Sequence, residues 1–68
     1  MNQWFKIYTS PNLAQASIVK GMLEENLVPV MVVNKQDSSY LNFGDIEIYV
    51  PSHLKEIATN LMQKSLLN

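Results

Sequence analysis

Apolar and polar residues alternate over six positions in the second half of the chain, and this alternation predicts a β-strand over Asp45–Val50. A period of two is typical of a strand that is buried on one face only. The isoleucines and the valine would face a core, whereas Asp45 and Glu47 would lie on the solvent side, where carboxylates are ordinary. The other elements can be arranged around this strand, so we expect it to be central in a sheet.

Two other stretches are predicted to form strands. Trp4–Thr9 is rich in aromatic and β-branched residues, and regular alternation would place Phe5 and Ile7 on one face. The opposite face would then carry Trp4, Lys6 and Tyr8. Val28–Val33 is almost continuously apolar, and Pro29, which lacks an N–H, belongs at the beginning of a strand or on an edge.

A helix is predicted between the first two strands, and its start has two possible registers. In one register Ser10 caps the helix and Pro11 takes the first helical position. In the other register Asn12 caps the helix and Gln15 completes a capping box. The spacing of apolar residues gives the core face of this helix, which contains Ala16, Val19 and Leu23.

The first helix should end near Glu25, because Asn26 is expected in the left-handed conformation that often follows a helix. A second helix is predicted directly after the central strand, with Ser52 as its expected cap. The apolar stripe of this second helix comprises Leu54, Ile57, Ala58, Leu61 and Met62.

The predicted order of elements is β-α-β-β-α, in one domain that spans residues 1–68. This is an α+β, ferredoxin-like arrangement that lacks the final strand, with strand order 1-3-2 and both helices on one face. The outer edge of the first strand would then be open, and an open edge pairs with another chain unless something blocks it. We therefore expect a homo-oligomer that uses this edge or the sheet face opposite the helices, with contacts from Trp4, Lys6 and Tyr8.

The connection between the second and third strands, Asn34–Gly44, is long for a hairpin and carries three large apolar residues. These residues, Tyr40, Leu41 and Phe43, either fold back over the thin core or anchor a protein partner. In the second case the loop is a contact surface with a polar rim. The candidate partner-binding residues are Asn34, Lys35, Gln36, Asp37, Ser38, Ser39, Tyr40 and Phe43.

Composition narrows the classes of function. The chain has a net charge of −1, no cysteine and no arginine, and its lysines are spread along the whole sequence. Nucleic-acid-binding domains cluster their basic residues, so nucleic acid is not an expected partner. The longest apolar run is far shorter than the roughly 20 residues that span a bilayer, and the first residues lack the apolar region of a signal peptide. We expect no membrane association, and the default compartment is the cytoplasm.

Residues with catalytic or metal-binding side chains do not form a recognisable site. Asp37–Ser39 are neighbours in one loop, and the only histidine, His53, has no visible orienting group or oxyanion donor. Asp45, Glu47 and His53 have neither the number nor the spacing of zinc ligands. We expect no enzymatic activity, no metal and no cofactor.

A set of residues along nearly the whole chain resembles a known family. The matching positions are Ile7-Tyr8, Asn12, Ala16, Val19-Lys20, Leu23-Glu24, Gly44, Ile46, Val50-Pro51, Ala58 and Leu61. They resemble the small bacterial domains grouped as prokaryotic signal-transducing proteins, whose fold is classed with the PII nitrogen-regulatory proteins and which have no established biochemical function. By analogy with PII proteins, the resemblance implies that the loop Asn34–Gly44 contacts partner proteins. Nucleotide binding is not carried over, because the chain has no arginine and no glycine-rich phosphate loop.

The predicted function is that of a non-enzymatic regulatory or protein-interaction module in signal transduction. The alternative is a small-molecule-binding sensor with its site between subunits. A hydrolase that uses Ser38 and His53 is the third possibility.

Overall fold

The computed structural model describes residues 3–36 and 44–66, which form three strands and two helices. In chain order the elements are β1 (Trp4–Ser10), α1 (Leu13–Glu25), β2 (Met31–Asn34), β3 (Ile46–Pro51), a 3₁₀ turn (Ser52–Leu54) and α2 (Lys55–Leu66). The strand order is β1-β3-β2, and β3 pairs antiparallel with both of its neighbours. The predicted α+β class, the strand order and the central position of the third strand are confirmed.

The apolar residues of β3 form the floor of the core. Ile46, Ile48 and Val50 are fully buried, and their alternation along the strand means that they share one face. Both helices contribute to this same core, which also contains Ala16, Val19, Leu23, Val28, Ala58 and Met62. The Cα atoms accordingly span only 15 Å in the thinnest direction, as expected for one sheet and one layer of helices.

The face of α2 that touches the core is narrower than the sequence pattern predicts. In α2, Ala58 and Met62 are buried. Leu54 and Leu61 are only half-buried, and Ile57, which was predicted to belong to the same stripe, is exposed. A sheet of three strands covers a narrow stripe of each helix, so side chains at the margin of the stripe remain in solvent.

A β-bulge in β1 changes which of its side chains share a face. The pairing of β1 with β3 shifts between Lys6 and Tyr8, which makes Ile7 the extra residue. Tyr8 is paired with Ile48 and packs against the core, as does Ile7. The predicted placement of Tyr8 on the face of Trp4 and Lys6 is therefore wrong, because the extra residue moves the later side chains to the opposite face.

The start of α1 uses both of the predicted capping residues. Asn12 Oδ1 accepts a hydrogen bond of 3.0 Å from the Gln15 N–H, and the Asn12 N–H donates to Ser10 Oγ at 3.0 Å. Asn12 is therefore the cap, and Leu13 is the first helical residue. Ser10 satisfies the N–H group that the Gln15 side chain would satisfy in a capping box.

The end of α1 is a Schellman motif in which Leu27 is the left-handed residue. The N–H groups of Leu27 and Val28 each donate, at 3.0 Å, to carbonyls of the last helical turn. Leu27 has a φ of 65° and is 88% exposed, whereas Asn26 has a φ of −96°. The prediction of a left-handed Asn26 is wrong by one position, and the Asn26 side chain instead donates to the Met22 carbonyl at 2.8 Å.

The starts of β2 and of the second helical segment also differ from the predicted ones. β2 begins at Met31 rather than at Val28, because the Val28 N–H is used by the helix cap and Pro29 has no N–H to donate. Ser52 is the first residue of the 3₁₀ turn, and Pro51 takes the cap position in its place. The second helical segment therefore starts one residue earlier than a Ser52 cap would require.

Candidate functional site

One face of the sheet, the open sheet face, lies opposite the helices. Residues paired across an antiparallel sheet point to the same side, so the pairing identifies the side chains on this face. They are Trp4, Lys6, Thr9, Met31, Val33, Glu47, Tyr49 and Pro51. Because this face combines charged and apolar side chains from all three strands, it is the candidate functional site.

Glu47 lies near the centre of the open sheet face and is only 7% exposed. Its Oε2 atom is 3.5 Å from Lys6 Nζ on β1 and 3.5 Å from Lys35 Nζ, directly after β2. Its Oε1 atom accepts a hydrogen bond of 2.8 Å from the Tyr49 hydroxyl, which lies on the same strand. A single carboxylate on the central strand therefore connects to both outer strands.

The surroundings of Glu47 favour its charged form. The hydrogen bond from Tyr49 is the main cause that lowers the pKa of the Glu47 carboxyl below its ordinary value of 4.5. The positive charges of Lys35 and Lys6 act in the same direction, and burial acts against them. The same hydrogen bond raises the pKa of the Tyr49 hydroxyl above 10.0, because ionisation would remove the donor and place two negative charges side by side.

These pKa shifts bear on the chemistry of the charged cluster, which consists of Glu47, Lys6, Lys35 and Tyr49. An efficient general base has a pKa near the working pH, and the pKa of Glu47 is moved further away from neutrality. The pKa of Tyr49 is also moved away from neutrality, in this case upwards. The cluster therefore suits the connection of strands and the display of charge better than the transfer of protons.

Apolar side chains occupy the part of the open sheet face next to the charged cluster. Trp4 is 43% exposed and is paired with the half-buried Pro51. Met31 is 36% exposed and is paired with the half-buried Tyr49. Aromatic residues and methionine are enriched in protein–protein interfaces, so this composition is typical of a surface that binds a protein.

Three of the predicted partner-binding residues are described, and they hold the base of the long loop. Gln36 Nε2 donates to the Pro11 carbonyl at 2.6 Å and to the Gly44 carbonyl at 3.5 Å. The Gln36 N–H donates to Asn34 Oδ1 at 2.8 Å, while the Lys35 side chain reaches the charged cluster. The other predicted residues of the loop lie outside the described residues; they are Asp37, Ser38, Ser39, Tyr40 and Phe43, together with Leu41.

The residues weighed as metal ligands in the sequence are separated in the fold. Asp45 directly precedes β3, whereas His53 is exposed in the 3₁₀ turn beyond its other end. Within residues 3–36 and 44–66, no group of three or more His, Cys, Asp or Glu side chains is placed to hold a metal ion.

Glu47 is buried, whereas the alternation of the strand predicts a solvated carboxylate at this position. Alternation does put Glu47 on the face away from the core, but lysines from both flanking segments pair with it there. The signal was present in the sequence: in the order 1-3-2, Lys6 and Lys35 flank the central strand on either side. Opposite charges on neighbouring strands attract, so a carboxylate between two lysines is expected to pair rather than to remain solvated.

Neither helix in the described part of the chain has the length and apolar content needed to cross a membrane. Comparisons of this chain with protein-family models, with curated proteins and with solved structures found no match.

Proposed function

We propose that this chain is a non-enzymatic regulatory module of the cytoplasm that binds another protein through the open sheet face. The observation that carries the proposal is the 43% exposure of Trp4 on a sheet face that neither described helix covers. Tryptophan offers a large and rigid contact area at a small cost in conformational entropy, and it is enriched among the residues that dominate binding energy.

The groups on this face define the chemistry of the partner. Trp4 and Met31 offer apolar contacts, while Lys6 and Lys35 present exposed ammonium groups beside them. The carboxylate that the two lysines share, on Glu47, lies beneath them and is nearly inaccessible. A complementary protein surface would carry an apolar patch bordered by a carboxylate.

The base of the long loop adjoins this face. The Lys35 side chain reaches Glu47 on the open sheet face, and the Lys35 N–H donates to the Asp45 carbonyl at 2.9 Å. Asn34 and Lys35 are exposed, and Gln36 is half-buried. We infer that these three residues form the rim of the partner site, which agrees with the contact role expected of loop 34–44.

We also propose that the chain belongs to the prokaryotic signal-transducing proteins that it resembles, with a ferredoxin-like fold of the PII type. The order of elements and the strand order β1-β3-β2 support this proposal, because they are those of a ferredoxin-like domain without its last strand. The protein partner would then be a component of a signalling pathway.

A small-molecule sensor with its site between subunits is the second candidate. The described residues line one recess of about 240 Å³ beside Phe5 and another of about 130 Å³ between the helices. Both are smaller than the roughly 300–1,000 Å³ of typical ligand pockets, so a second subunit would have to complete such a site. The described side chains of the open sheet face all come from one chain, which favours the interaction module.

The proposal is tested by affinity capture followed by binding measurements with each purified captured protein. The variant Trp4→Ser combined with Met31→Ser removes the apolar contacts, and Ile18→Ser is the matched control, because Ile18 is exposed on α1 and outside the open sheet face. For a true partner, the double variant should weaken binding about 30-fold or more, which corresponds to the roughly 2 kcal/mol of a hot spot.

The control variant should bind like the wild type. Equal affinity of the wild type and the double variant for every captured protein, with both folded by circular dichroism, would contradict a role for the open sheet face. A saturable upward shift of the melting temperature with one metabolite, together with no such partner, would favour the sensor.

A further inference from the structure

Within the described residues the sheet has two edges that no further strand pairs with, and the outer edge of β1 is the longer of them. β1 has seven residues and β2 has four, and Pro29 shortly before β2 limits any extension of that edge. One side of β1 pairs with β3, and β1 is the terminal strand in the order β1-β3-β2. The N–H and C=O groups on its other side are a template for one more strand.

A recess lies beside this edge, on the side of the helices. It has a volume of about 240 Å³ and is lined by Phe5 of β1 and, on α2, by Lys55, Glu56, Thr59 and Asn60. Phe5 is 38% exposed, and Lys55 Nζ lies 5.4 Å from the centre of its ring. A cavity of about 150 Å³ holds a benzene molecule, so the recess has room for an aromatic side chain of an added strand.

We propose that the added strand is β1 of a second copy of this chain, paired antiparallel about a two-fold axis at Phe5. Phe5 then lies opposite Phe5 of the partner subunit, and each Phe5 ring enters the recess that Phe5 and α2 form on the other chain. This pairing is separate from the open-face contact of the proposed function, and either can hold without the other.

The register follows from which side chains share a face. Trp4 and Lys6 lie on the open sheet face, and Phe5, paired with Val50, lies on the side of the helices. An axis at Phe5 sets Trp4 opposite Lys6 of the partner subunit, so side chains on the same face meet and an ammonium group lies beside an indole. Ile7, which packs on the core side, then meets Gln3 of the partner subunit.

An axis at Lys6 is unfavourable for two reasons. It would set two like charges directly opposite each other, which destabilises a strand pair. It would also set Trp4 of the open sheet face opposite the partner's Tyr8, which the bulge directs to the core side. The bulge therefore restricts the pairing to the part of β1 that precedes it, as bulges commonly do.

Disulfide cross-linking of the purified chain tests this register, because the chain contains no cysteine. Opposite residues of an antiparallel pair have Cα atoms about 4.5–5.5 Å apart, within the range that a disulfide accepts. The Phe5→Cys variant tests the axis directly. An equimolar mixture of Trp4→Cys and Lys6→Cys chains keeps Phe5 and tests the neighbouring pair. Val32→Cys, exposed on the opposite edge strand, is the control.

We expect Phe5→Cys to form covalent dimers at least about tenfold faster than Val32→Cys, because pairing brings the thiols to a high effective concentration. The mixture should give mainly the mixed Trp4–Lys6 dimer. Three results would overturn the proposal: a monomeric wild type in sedimentation at hundreds of micromolar, equal rates for folded Phe5→Cys and Val32→Cys chains together with no preference for the mixed dimer, or a Lys6→Cys chain that cross-links to itself faster than in the mixture.

Discussion

The Tyr49 hydroxyl donates a hydrogen bond of 2.8 Å to Glu47, two residues earlier on the same strand. Residues two apart on a strand point to the same side, so this contact is intrinsic to β3. The Glu47 carboxylate also pairs with Lys6 and Lys35, and it is buried although it lies on the face of β3 away from the core.

The first prediction concerns the stability of the fold in acid. The pKa of Glu47 is lower in the folded chain than its ordinary value of 4.5. The ionised carboxylate therefore stabilises the fold at pH values above 4.5. This stabilisation is lost as the pH falls from 4.5 through the lowered pKa. In urea unfolding at several pH values, Glu47→Gln should lose less stability than the wild type over this window.

The control for this experiment is Gln63→Asn, since Gln63 is exposed on α2 and its substitution removes no carboxylate. This variant should keep the acid dependence of the wild type. An unchanged acid dependence in Glu47→Gln would show that the charged cluster does not stabilise the folded chain.

The second prediction separates the contribution of Tyr49 from that of the lysines. The Tyr49→Phe variant removes the hydrogen bond that is the main cause of the lowered pKa, so the pKa of Glu47 should rise towards its ordinary value. An NMR titration of the Glu47 carboxyl carbon measures this directly. If the pKa of Glu47 falls or stays the same in this variant, the lysines rather than the Tyr49 hydroxyl are the cause of the lowered pKa.

The third prediction concerns the left-handed residue at the end of α1. Leucine at a φ of 65° is strained by roughly 1–2 kcal/mol, and its exposed side chain makes little compensating contact. Leu27→Gly should raise the free energy of unfolding by about 0.5–1 kcal/mol after the greater entropy of unfolded glycine is counted. Asn26→Gly, at a negative φ, should bring no such gain. A less stable Leu27→Gly chain would contradict the strain assigned to this position.

The fourth prediction compares the two glycines. An added Cβ at Gly44 would lie 2.5 Å from the Lys35 carbonyl oxygen, and the φ of 115° is unfavourable for any other residue. Gly44→Ala should therefore destabilise the chain by at least about 1–3 kcal/mol. Gly21 lies within α1 with nothing near the added Cβ, so Gly21→Ala should stabilise by about 0.5–1 kcal/mol. Thermal unfolding measures the change in stability of both variants. A change in the same direction in the two variants would refute this prediction.

Periodicity and capping chemistry predicted much of the fold. The alternation in β3 identified the central strand, and the spacing of Ala16, Val19 and Leu23 identified the buried face of α1. These features are local, because a strand or a helix repeats its geometry every few residues. The proposed relation to the prokaryotic signal-transducing proteins rests on these same packing and capping positions, so it bears on the fold more than on the site.

The amino-acid sequence by itself determined which segments form strands and helices, and which side of each is apolar, because those properties depend on neighbours along the chain. Only the tertiary structure decided that Ile7 is an extra residue which moves Tyr8 to the core side, and that Glu47 is buried between two lysines. Both depend on how strands distant in sequence align across the sheet, and a shift of one residue in that alignment exchanges the faces on which the side chains lie.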